Sequence, residues 1–74
     1  MTLTDLENGQ TGNIVLIAGG RMAAKRLADL GLTPGIEIKI LRKALFSGPI
    51  VIEACGSKLV IGQGLASKIF VGLK

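Results

Sequence analysis

Histidine, tryptophan and tyrosine are missing from this 74-residue chain, and cysteine occurs once. Each absence removes a class of chemistry. Without histidine, neither a Ser/His/Asp nor a Cys/His arrangement can be assembled, because the general base is lacking. The carboxylates Asp5, Glu7, Asp29, Glu37 and Glu53 are scattered along the chain, so they predict no ligand cluster for zinc or another transition metal. A lone Cys55 cannot form an intrachain disulfide, which small secreted domains usually need. It reads as a small core hydrophobe in a cytoplasmic protein. Aromatic content is confined to Phe46 and Phe70. Single-stranded nucleic acid is gripped by stacking aromatics, and grooves for proline-rich peptides are lined with them. With Phe70 expected in the core, Phe46 stands alone, and both binding modes are disfavoured. Glycine is plentiful, at 11 residues, yet neither G-x-G-x-x-G nor G-x-x-x-x-G-K-[ST] occurs. The inventory predicts a protein with no enzymatic activity, no cofactor and no built-in metal.

Long apolar runs are missing too. Hydrophobic residues make up 49% of the chain and mean hydropathy is +0.57, but no stretch approaches the ~18 residues of a spanning helix. The densest runs, IVLIA and KLVIG, are strand-length. The opening MTLTDLENGQ carries two acids and no basic stretch, so it predicts no secretory leader. Residues 1–74 read as a single domain, small enough that its core must be almost entirely apolar. The net charge of +4 raises a nucleic-acid reading. The cations fall in separate groups, however: Arg21, Lys25 and Arg26 in one, Lys39, Arg42 and Lys43 in another.

What is present is a set of short elements. Thr4 and Glu7 have capping-box spacing, and Asn8-Gly9 allows at most one helical turn before them, with Leu3 and Leu6 tucked onto the core. Residues 13–18 read as a buried strand closed by Gly19-Gly20. Over residues 21–30 the period becomes 3.6, with Ala23, Ala24, Leu27 and Leu30 on one side and Arg21, Lys25, Arg26 and Asp29 on the other. Gly31 suits the left-handed position after a helix, Leu32 the hydrophobic contact that follows it, and Pro34-Gly35 a type II turn. Ile36, Ile38 and Ile40 then alternate with Glu37 and Lys39, and the slip at Ile40-Leu41 predicts a bulge. Residues 42–49 read as the longest loop. Residues 50–55 and 58–61 form a hairpin through a type II′ turn at Gly56-Ser57. A short connector at 62–66, read as one 3₁₀ turn, precedes a last strand at 68–71. Leu30, Leu32, Ile38 and Ile52 are expected in the core. The whole predicts a mainly β fold: a small barrel of about five strands with a helix inserted between strands 1 and 2.

The order of these signals resembles the FeoA family. The resemblance rests on L-x-x-L-x-x-G over residues 3–9, Gly19-Gly20 after the first strand, and R-L-x-x-L-G-L-x-P-G over residues 26–35. Gly48-Pro49, the glycine hairpin at Gly56 and A-x-x-I over residues 66–69 extend it along nearly the whole chain. It implies an SH3-like barrel and an accessory role in ferrous-iron uptake beside the membrane GTPase transporter FeoB. It also suggests a relative of the SH3-like domain of iron-dependent repressors, although the chain carries no DNA-binding helix-turn-helix. A small nucleic-acid-binding barrel is the rival from a different class, and self-association is a third possibility given the apolar content.

Two surfaces are candidates for partner contact. On the helix, Arg21, Lys25 and Arg26 form a basic face whose plain reading is solvation, with little energy in exposed charges. Met22 either projects among them as an adaptable contact or folds inward. Leu45 and Phe46, in the long loop, either plug one end of the barrel or stand as an exposed anchor.

Overall fold

The computed structural model describes residues 1–44 and 48–73. The chain opens with a 3₁₀ turn, Leu3–Asp5, followed by β1 (Thr11–Ile17), α1 (Gly20–Asp29), β2 (Glu37–Lys43), β3 (Ile50–Ala54), β4 (Ser57–Ile61), α2 (Gln63–Ala66) and β5 (Ile69–Leu73). The strands form one sheet in the order β4-β3-β2-β1-β5, with every neighbouring pair antiparallel. The mainly β architecture, with one helix between strands 1 and 2, is as the sequence predicts. No helix among the described residues is long and apolar enough to cross a membrane.

Two bulges bend the sheet. Ile40 pairs with Ile52 and Arg42 with Val51, so Leu41 is the extra residue in β2. This is the slip visible in the sequence. The second is in β1, where Ile14 pairs with Val71 and Leu16 with Phe70, leaving Val15 unopposed. Its consequence was hidden in an unbroken apolar run. Ile14 faces the core at 2% exposure, while Val15 and Leu16, consecutive in sequence, are 58% and 49% exposed. Phe70, expected inside, is only partly buried because Ile69 and Val71, on either side of it, take the inward positions.

The interior is entirely apolar among the described residues, with no buried polar or charged side chain. Leu3, Leu6, Leu27, Leu32, Ile38, Ile40, Ile50, Ile52, Ile61 and Ile69 are each essentially inaccessible to solvent. At about 1.5–3 kcal/mol for each such side chain, burial here is the main force holding a domain of this size.

The first ten residues cover one end of that core. Val71 N–H donates to the Met1 carbonyl at 2.9 Å and Thr2 bridges Phe70, which places the amino terminus along the outer edge of β5. Further on, Gly9 N–H donates to the Ile40 carbonyl at 2.7 Å and Ile40 N–H to the Gln10 carbonyl at 3.0 Å. The segment therefore crosses from β5 to β2, with the side chains of Leu3 and Leu6 inside. The capping contact lies earlier than the spacing suggested: Thr2 N–H donates to Asp5 Oδ2 at 2.9 Å. Glu7 instead belongs to the Asn8-Gly9 turn, its N–H bonded to Gln10 Oε1 at 2.7 Å.

The passage from α1 to β2 is hydrogen-bonded at each step. Gly31, at φ +84°, gives its N–H to Ala28 O at 2.9 Å, while Leu32 N–H reaches back to Leu27 O at 2.8 Å. That pair of bonds is a Schellman cap. Gly35 sits at φ +96°, and Ile36 N–H closes the predicted type II turn on Thr33 O at 3.1 Å. Gly35 N–H also donates to Ile14 O at 2.8 Å, which ties the turn to β1.

Candidate interaction surfaces

The helix face is built by what α1 buries. Ala23 and Leu27 turn inward, so Arg21, Lys25 and Arg26 are exposed and Met22 projects into solvent at 76% exposure. Of the two readings of Met22, the outward one holds. Leu30 differs from expectation, being 45% exposed. It occupies the C-cap, at φ −91° and ψ 0°, where the chain is already leaving the helix. Leu32, fully buried, makes the inward contact in its place. Since residues four apart share a helix face, the exposed Met22 and Arg26 form a stripe that pairs an apolar side chain with a cation, and Leu30 stands exposed just past the last helical residue. Leu45 and Phe46 lie outside the described residues.

The second basic group is divided. Lys43 is committed to the fold: its Nζ donates to the carbonyl oxygens of Thr4 at 2.8 Å and Leu6 at 3.0 Å, and its N–H donates to Asn8 Oδ1 at 3.1 Å. It ties β2 to the amino-terminal segment. Lys39 and Arg42 remain exposed on the outside of the sheet. β2 runs on to Lys43, so the loop expected over 42–49 begins later than its composition implied.

Cys55 is neither in a strand nor in the core. It is exposed at φ +53°, followed by Gly56 at φ +77°, and two consecutive positive φ values describe a type I′ turn in place of the expected II′. β3 accordingly stops at Ala54 and β4 starts at Ser57. Beside the turn runs an open groove of about 510 Å³, lined in part by Thr11, Glu37, Lys39, Glu53 and Cys55. No three metal-ligating side chains converge there or elsewhere among the described residues.

Sequence reasoning missed the outer face of β1 and β5. Val15 and Leu16 are brought there by the bulge, beside Phe70, and the Gly72 backbone lies close under Val15. The clue was present in Gly72, a residue without a side chain in an otherwise apolar strand, but no pattern marked which neighbour would use the space.

The described surface therefore offers a charged and apolar helix stripe, exposed sheet faces and an open groove: a small barrel of the SH3-like kind, suited to contact with other molecules. Comparison with known proteins makes the class specific. The sequence pattern of the FeoA domain matches residues 1–73, and this chain belongs to the FeoA family. A Methanocaldococcus jannaschii protein, named provisionally as Fe(2+) transport protein A, is 35% identical over 65 residues, covering 88% of this chain and 77% of that one. A crystal structure of an iron uptake regulatory protein, FeoA, is similar at a TM-score of 0.87 and 38% identity, over 97% of this chain and 93% of the other. The Stenotrophomonas maltophilia FeoA, described as a prokaryotic SH3 domain protein, shares the fold at a TM-score of 0.82 and 20% identity, over 97% and 89% of the two chains.

Proposed function

We propose that this chain is a cytoplasmic, non-catalytic accessory protein of ferrous-iron uptake that acts by docking on the cytosolic part of an FeoB-type membrane GTPase transporter. The observation that carries the reading is membership of the FeoA family over residues 1–73, joined to a relative named for Fe(2+) transport. The chain's chemistry agrees. Lys43 serves the fold and Arg21, Lys25 and Arg26 are exposed, and the exposed features are of the kind that protein interfaces use, with adaptable methionine and arginine prominent.

Within that reading the α1 stripe is the docking face, with Arg21, Met22, Lys25 and Arg26 as contact residues and Leu45 and Phe46 as a further anchor. Arg26, one turn from the exposed Met22, offers a cation beside apolar surface, an arrangement that favours an acidic and apolar counterpart. The test is titration of labelled protein with the transporter's GTPase domain and with the full transporter in detergent, in each nucleotide state. Saturable binding weakened by Met22→Ala and Arg26→Ala is expected. Absence of binding to both preparations would overturn the function. Unchanged affinity in the variants would move the contact elsewhere.

A further inference from the structure

The two edges of the sheet are not alike. The outer edge of β5 is occupied by Met1 and Thr2. β4 closes the other end of the strand order, and among the described residues nothing pairs with its outer side. Which backbone groups are free there follows from the turn. A two-residue connection makes Ala54 and Ser57 a pair that exchanges both hydrogen bonds, and such pairs alternate along an antiparallel ladder. The partners Ile52↔Leu59 and Ile50↔Ile61 are therefore the next two of that kind. Ser57, Leu59 and Ile61 turn their backbone groups toward β3, while Lys58 and Val60 direct N–H and C=O away from the sheet.

The side chains beside these groups define what would fit. Val60 is 67% exposed, in an edge position where a bare aliphatic residue usually invites another strand. Across the outer face, Lys58 stands opposite Glu53, which stands opposite Lys39. In the next row Val60 stands opposite Val51, and Val51 opposite Arg42. These two rows hold three cations and one carboxylate, beside an apolar pair that reaches the edge at Val60.

We infer that β4 accepts an extended segment of a partner protein by strand addition, and that this segment carries an aliphatic residue against Val60 and a carboxylate two positions away against Lys58. The backbone of Lys58 and Val60 supplies the hydrogen bonds, and side chains on one face supply the selection, as in other strand-addition complexes. A second copy of this chain is the poorer occupant. It would bring another set of the same cations, and the chain's net charge of +4 opposes self-pairing. The inference rests on the transporter as partner and gives that contact a second, separate element from the α1 stripe.

The experiment uses the transporter's GTPase domain and the full transporter in detergent, with amide exchange and affinity read together. Binding is expected to slow exchange at Lys58 and Val60. Val60→Pro removes the outward N–H without touching the ladder to β3, and Val60→Lys places a charge on the edge. Each is expected to weaken binding by about tenfold or more with the melting temperature of the free protein kept close to wild type for Val60→Lys. Wild-type binding that survives both variants, with the two amides still exchanging freely, overturns the edge contact and leaves the accessory function standing. No wild-type binding to either preparation overturns both. Protection of the same amides that grows with the chain's own concentration identifies a second copy as occupant and overturns the choice of partner.

Discussion

The outer edge of β5 and the outer edge of β4 belong to the same sheet, yet among the described residues one is covered and the other is bare. Over β5, Val71 donates to Met1 O and Thr2 pairs with Phe70, held there by Leu3 and Leu6 in the core and by the Lys43 ammonium on two nearby carbonyls. Over β4 nothing comparable is found among the described residues. Exposed strand edges are a hazard that folds usually cover or charge. This fold does the first at one end and the second, through Lys58, only in part at the other. Protection at β5 is thus an investment of the amino-terminal segment in stability, whereas the edge of β4 is left available for contact. In the free protein the Val71 amide should exchange far more slowly than that of Val60.

The largest change comes from breaking the cover at its root. Leu3→Ala empties a fully buried site and should cost about 2–5 kcal/mol, the range for truncating a buried leucine. It should also bring Val71 exchange toward that of Val60. Chemical denaturation with residue-resolved exchange checks both, and a Val71 amide that stays slow would mean that the terminal segment is held by something other than its leucine.

Next in size is Gly35→Val. Space is open around a side chain at this position, so the penalty is conformational. A β-branched residue at φ +96° should cost about 1–3 kcal/mol, and Gly31→Ala about 1 kcal/mol. Because Gly35 bonds to β1 and leads directly into the central strand β2, its replacement should weaken both edges alike in exchange measurements. Unequal loss would show that the central strands do not bind the two ends into one cooperative unit.

Lys43→Met keeps the aliphatic stem and removes the ammonium. Losing charge-assisted bonds to two carbonyls on a partly exposed group should cost about 1–2 kcal/mol. The effect should fall on the amino-terminal segment, so that Val71 exchanges faster while Val60 is unchanged. Thermal unfolding combined with exchange is the check, and an unaltered melting temperature would show that water replaces the ammonium without loss.

Much of this was legible in the residues. R-L-x-x-L-G-L-x-P-G foretold the helix exit, the left-handed Gly31 and the type II turn because local chemistry alone determines them. The Ile36–Ile40 alternation likewise foretold which face of β2 is wet and where it bulges. What failed did so for tertiary reasons. Leu30 matched the helical period but fell at the cap, where the periodicity no longer applies and Leu32 takes over. Cys55 and Phe70 were judged by residue type, yet the turn claimed one and strand alternation turned the other outward. The β1 bulge could not be seen in an all-apolar run, because periodicity carries no information where every residue is hydrophobic. Lys43 read as part of a basic patch, since nothing local shows that its ammonium reaches carbonyls from the start of the chain. The edge of β4 became visible only once the strand order was known.

The smallest stability effects are expected on the surfaces proposed for contact, and there the comparison becomes functional. Arg21→Ala, Met22→Ala and Lys25→Ala remove exposed side chains and should each stay within about 0.5 kcal/mol of wild type, a shift of a few degrees at most in melting temperature. Val60→Lys, at the β4 edge, should do the same. If both sets leave folding intact and both weaken transporter binding, the partner reaches the α1 stripe and the β4 edge together. A double variant, Met22→Ala with Val60→Lys, then distinguishes two independent contacts from one coupled contact. Independent contacts give free-energy losses that add within about 0.3–0.5 kcal/mol. A loss no greater than that of either single variant would show that one side chain acts only by positioning the partner for the other, and the stripe and the edge would have to be treated as a single surface.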